Sequence, residues 1–160
     1  MNATPKFKPA PRANPPLENG DRLSAAEFMR RYEATPGLRG VELIEGIVYM
    51  PPPIRFIHHG QPDNLLQTFA GVYAAATPGI AAASSSTVRL DLDNVPEPDA
   101  QLIVLPEYGG QVKFDKDGYV VGAPDLVVET AASSASMDMH AKLRVYRRNG
   151  RQAVPCVLPG

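Results

Sequence analysis

Pro98-Asp99-Ala100-Gln101-Leu102-Ile103-Val104-Leu105 and, further along, Pro124-Asp125-Leu126-Val127-Val128-Glu129 decide how this chain folds. Alternate residues of a strand share a face, so Asp99, Gln101, Ile103 and Leu105 lie together, as do Asp125, Val127, Glu129 and Ala131. The rest of each run is apolar, as expected of interior strands. Each strand therefore carries an acid where an acid is expensive, because a buried carboxylate is unfavourable unless a metal or a lysine compensates it. Lys142 follows on a helix. Two carboxylates on neighbouring strands with a lysine close behind are the parts a metal-dependent phosphodiesterase needs. The acids, Asp99 and Glu129, offer hard oxygen ligands to Mg²⁺ or Mn²⁺, and Mg²⁺ keeps several waters of its own. The ammonium can orient the attacking water and stabilise charge on the phosphorane.

The helix bearing the lysine reads from Asp138 to Arg148, with Met139, Leu143 and Tyr146 on its inner face. Lys142 lies beside that face and its long stem could reach Glu129. The alternative is a surface pair with Asp138 at i, i+4, worth a few tenths of a kcal/mol or so. Arg144, Arg147, Arg148 and Arg151 make the end of this helix positive. That suits nucleic-acid phosphates, and it is equally what a helix dipole favours at a C-terminus.

A chain of 160 residues with 44% hydrophobic residues fits one domain with a modest core, taken as residues 21–160. The first twenty residues carry Pro5, Pro9, Pro11, Pro15 and Pro16 and read as a disordered arm without the apolar stretch of a signal peptide. No apolar run approaches the roughly 20 residues of a membrane span. A single cysteine, Cys156, excludes an internal disulfide and a cysteine-rich zinc site, and it is compatible with the cytoplasm. The net charge of −1 argues against a strongly basic nucleic-acid carrier, although nucleases can concentrate positive charge locally.

Ser24-Ala25-Ala26-Glu27 is a capping box, flanked by a Leu23–Phe28 staple, and starts a helix running to about Ala34. Val41 to Met50 reads as a hairpin turned at Glu45-Gly46, and Val112 to Val121 as a second one turned at Asp117-Gly118. Gly60 to Ala76 spaces Leu65, Phe69 and Tyr73 four apart, which predicts an amphipathic helix laid against the sheet. Thr87 to Leu92 alternates like a strand. Of the neighbours His58 and His59, His59 is a candidate proton shuttle or phosphate contact, and the alternative is a solvated loop pair. There is no internal repeat or glycine-rich phosphate loop.

From about Leu23 to Gly150 the chain resembles the Uma-type family, a branch of the PD-(D/E)XK restriction-endonuclease-like superfamily. The resemblance rests on Glu42-Leu43-Ile44-Glu45-Gly46, Met50-Pro51-Pro52-Pro53 with His59-Gly60, Pro98-Asp99, Ala123 to Glu129, and Lys142 to Gly150. It implies an α/β fold in which helices flank a mixed central sheet, with an N-terminal helix and hairpin. It also implies that the superfamily's lysine, ordinarily two residues after the second acid where this chain has Ala131, has moved to the helix as Lys142. Glu42 becomes a third acidic candidate, for which the alternative is an exposed strand residue. The implied activity is hydrolysis of DNA by Asp99, Glu129, Lys142 and Glu42 with Mg²⁺ or Mn²⁺. A catalytically inactive module that binds nucleic acid or protein through the same scaffold is the other reading. After such a helix the resemblance also implies a further strand. Here Pro155 interrupts the run, so Val154 to Leu158 is expected to make only a short, broken strand. The domain would then be truncated at its C-terminus, with a sheet edge open to homodimerisation or looser self-association.

Overall fold

A computed structural model describes residues 14–131, 136–150 and 152–157, with the side chains at 58, 131, 136–139 and 152–157 left aside. Half of the expected capping box forms: the Ser24 hydroxyl accepts from the Glu27 amide and opens α1 (Ala25–Glu33). The Glu27 carboxylate turns forward instead, to Arg30 and Arg31. Glu45 and Gly46, both at positive φ, turn the first hairpin, β1 (Glu42–Ile44) against β2 (Ile47–Tyr49). Phe28, Met29, Val41, Leu43, Val48 and Val95 close a small core between α1 and this hairpin.

The end of the expected arm, residues 14–20, is docked on the domain. Residues 1–13 lie outside the described residues, but Leu17 is buried in the α1 core, the Gly20 amide donates to the Val48 carbonyl, and the Asn19 side chain accepts from the Met50 amide. One buried apolar side chain and two hydrogen bonds just after it are enough to dock the segment despite its prolines.

A four-stranded sheet is the centre of the molecule. Its order is β3 (Ile80–Ser84), β5 (Ala100–Val104), β8 (Leu126–Ala131), β9 (Gln152–Val157). The first three strands pair antiparallel, whereas β9 runs parallel to β8 and is reached through α3 (Ser136–Arg148), as a parallel neighbour requires a crossover. The second predicted hairpin forms as β6 (Lys113–Phe114) and β7 (Val120–Val121), and β7 also pairs parallel to β4 (Val88–Arg89). Ile103 and Val127 from the central sheet, Val145 and Tyr146 from α3, and Val88 and Val120 share the main core.

Three further expectations need correction. Strand β4 is shorter than Thr87–Leu92, because Asp91 folds back to accept from the Asp93 amide and the Asn94 side chain. The C-terminal strand is continuous, with Pro155 opposite Glu129; β9 lies at the sheet edge, where a residue without an N–H is tolerated. The stripe Leu65, Phe69, Tyr73 of α2 (Gln61–Ala76) does not cover the sheet. The helix instead buries Ala70 while Gln67 donates to the Asp99 carbonyl, and these contacts leave the stripe facing outward. Among the described residues no helix is long and apolar enough to cross a membrane.

Candidate active site

Extending the β5–β8 register by one residue sets Asp99 opposite Glu129, so the two acids meet on one face of the central sheet. Glu42 reaches that face from β1, and Lys142 and Tyr146, one helical turn apart, from α3. Lys142 Nζ lies 2.7 Å from Glu42 Oε2 and 3.0 Å from Glu129 Oε2. Its side chain is only 14% exposed, so Lys142 is no surface residue, while the Asp138 side chain lies outside the described residues. Glu42, at 13%, is likewise no exposed strand residue. The structure thus brings together all four residues singled out from sequence.

Three groups that sequence reasoning missed complete the cluster. The Tyr146 hydroxyl donates to Glu129 Oε1 at 2.9 Å; the signal was there, since Tyr146 follows Lys142 by four residues on an inward face. The Glu97 amide donates to Glu42 Oε1 at 2.6 Å, and the Thr130 amide to Asp99 Oδ2 at 2.6 Å. Backbone donors of this kind carry no sequence signal. Gln101, on the same face as Asp99, is buried and its side-chain nitrogen is held by Ser86.

His59 stands at the edge of the cluster, its Nε2 3.6 Å from Asp99 Oδ1, too far for a direct hydrogen bond. The positive helix end is less available than its sequence suggested. Arg144 lies 3.3 Å from Glu45, and Arg148 is 3.7 Å from both Glu45 and Asp91. Arg147 is exposed, and Arg151 lies outside the described residues.

The electrostatics follow from one ammonium between two carboxylates, Glu42 and Glu129, with Asp99 beside the second. Burial pushes the Glu129 carboxyl from 4.5 up to about 7; Lys142 opposes this, while Glu42 and Asp99 add to it. Burial alone would lower Lys142, but Glu42 and Glu129 outweigh it and hold the ammonium charged. Burial and the neighbouring carboxylates also raise Tyr146 well above its ordinary range, so it remains a hydrogen-bond donor. Burial, followed by the charge of Glu42, raises Glu97 too.

This donor set suits a hard divalent cation. It is all carboxylate oxygen and it carries an excess of negative charge in a buried setting, which a cation would relieve. Among the described residues no three His, Cys, Asp or Glu side chains form a ready cage, and Mg²⁺ does not need one, being commonly held by one or two carboxylates with water.

A mixed sheet flanked by helices, with acids on adjacent central strands and a lysine over them, is the restriction-endonuclease-like fold. The model of the Uma2 family, described as "Putative restriction endonuclease", matches residues 25–159, and the chain belongs to that family. A crystal structure of a "putative nuclease belonging to DUF820" from Anabaena variabilis is similar in fold, with a TM-score of 0.64 and 14% identity over 84% of this chain and 74% of that one. No curated protein matches the sequence.

Proposed function

We propose that this protein is a DNA endonuclease that hydrolyses phosphodiester bonds with Mg²⁺ or Mn²⁺ held by Asp99 and Glu129. The observation that carries the reading is the Lys142 ammonium held between the carboxylates of Glu42 and Glu129, with Asp99 opposite Glu129 on the same sheet face. A buried charge cluster of this composition is costly to maintain for stability alone. The cation, when bound, would supply Lewis-acid polarisation of the phosphate and of the attacking water. Asp99 is pre-oriented for such a role, because the Thr130 amide fixes Oδ2 and leaves Oδ1 directed toward the His59 side. Glu129 offers Oε1 and Oε2, which Tyr146 and Lys142 hold in place. Lys142 stabilises charge gathering on the phosphorane, and Glu42 keeps its ammonium aimed. His59, at the rim 3.6 Å from Asp99, would pass a proton. Membership of the family and the nuclease-like fold support a nucleic-acid substrate, and the lone Cys156 suits a cytoplasmic setting.

One observation favours an inactive binding module as the second reading: both oxygens of Glu129 are already engaged. A nuclease assay on supercoiled and linear DNA, with Mg²⁺, with Mn²⁺ and with chelator, separates the two. Metal-dependent nicking lost in Asp99→Ala supports the endonuclease. DNA binding without cleavage in any metal supports the module.

A further inference from the structure

We propose that α2 is a dimerisation helix, its outward stripe packing antiparallel against the same stripe of a second copy of this chain. Leu65, Phe69 and Val72 are 66, 70 and 65% exposed, and Tyr73 is 46% exposed. With exposed Ala76, the residues Leu65, Phe69, Val72 and Ala76 repeat at spacings of four, three and four, the seam of a coiled-coil pair. The other face of the helix is committed to the sheet through Ala70 and Gln67, so this stripe has no partner among the described residues.

Area supports a full interface. The four large side chains expose on the order of 500 Å². Ile54, Phe56 and Ile57, 72, 75 and 69% exposed on the segment leading into the helix, would bring the apolar surface to ~800 Å², one partner's share of a standard interface. A monomer seldom exposes so much apolar surface without using it.

Charge identifies the occupant. The only charged residue of α2 is Asp63 in its first turn, and the positions flanking the seam, Asn64, Thr68 and Ala75, are uncharged. A heterologous partner is ordinarily selected by charges beside the seam, and an anionic membrane by clustered basic ones; the stripe has neither, and the segment leading into it adds a single exposed cation, Arg55. It does not repel itself. A two-fold axis across the helix sets Phe69 against Val72 and Leu65 against Ala76, large side chains opposite smaller ones, with the helix dipoles opposed. The sheet edge is the poorer surface for association, because Pro155 in β9 brings no N–H to it.

The test is the molar mass of the full chain by sedimentation equilibrium across micromolar concentrations, for wild type, Phe69→Glu and Phe69→Trp. Wild type is expected to be dimeric. Phe69→Glu should raise the dissociation constant by ~30-fold or more, as for a central aromatic anchor, with an unchanged circular dichroism spectrum. In Phe69→Trp, the single tryptophan should be shielded from quencher in the dimer and exposed on dilution. A dimer that survives Phe69→Glu places the interface elsewhere and overturns the proposal. So does a monomeric wild type: with a shielded tryptophan the stripe is covered by the chain's own residues, and with an exposed one it is uncovered.

Discussion

Lys142 lies nearer to Glu42 than to Glu129, at 2.7 against 3.0 Å, and so ties the N-terminal hairpin to the central sheet as well as completing the acid cluster. Removing it acts on both levels. Lys142→Ala leaves two buried carboxylates uncompensated and is expected to cost about 3–5 kcal/mol of stability. It should also lower the cleavage rate per folded molecule by about 10²-fold or more. Lys142→Arg should recover part of the stability but not the rate, because a planar fork cannot replace a compact ammonium. Thermal melts with single-turnover cleavage check this, and an unchanged rate in the folded fraction of Lys142→Ala would confine the residue to a structural role.

Divalent metal should bind through the two opposed strand acids. Mn²⁺ titrated by calorimetry is expected to give a clear isotherm with wild type and none with the Asp99→Ala, Glu129→Ala double variant. Equal heats from both proteins would remove these residues from the metal site.

Tyr146→Phe keeps the ring in the core and deletes only the donor to Glu129 Oε1. The orphaned carboxylate oxygen is expected to cost about 1–3 kcal/mol. Cleavage should then require more Mn²⁺ for half-maximal rate, because Glu129 is no longer held in one orientation. A melting temperature and metal dependence like those of wild type would show that water replaces the hydroxyl without loss.

Stability of the metal-free protein should fall as pH rises toward neutrality. Glu129 binds its proton more tightly when folded, at about 7, than at its ordinary 4.5. The folded state therefore gains from protonation at low pH, and the gain is lost as pH passes through about 7. At ~1.4 kcal/mol per pH unit the loss is on the order of 3 kcal/mol, developing between about pH 4.5 and 7.5. Melting curves of wild type against Glu129→Gln, which carries no titrating group at this position, measure it. Parallel pH profiles for the two proteins would contradict the raised value.

Much of the site was legible because its chemistry is carried by residue types that strands and helices rarely bury: Glu129 within an apolar run, Asp99 at the head of another, Lys142 one step off an inward face. Their meeting was legible only as a resemblance, since register is not written in spacing. The α2 stripe misled for a related reason. Periodicity reports that a helix has an apolar face, not what will cover it, and here the hydrogen bond from Gln67 to the Asp99 carbonyl turns the other side to the sheet. The continuity of β9 was hidden because a proline is judged by strand position, central or edge, and sequence does not give that order.

Two of the chain's three Pro-Asp steps, Pro98-Asp99 and Pro124-Asp125, are used by the structure as a pair. Asp99 precedes β5 and accepts from the Thr130 amide near the end of β8; Asp125 precedes β8 and accepts from the Val104 amide at the end of β5, at 2.7 Å. Each aspartate pins the far end of the other's strand, so the motif is a backbone clasp used twice in opposite directions. Asp125 is thus a built-in control for Asp99. Asp99→Ala removes a clasp and a proposed ligand together, whereas Asp125→Ala removes a clasp at the opposite end of β8 from Glu129. Whatever Asp99→Ala loses in catalysis beyond the loss in its twin measures the chemistry of Asp99, freed from the masonry.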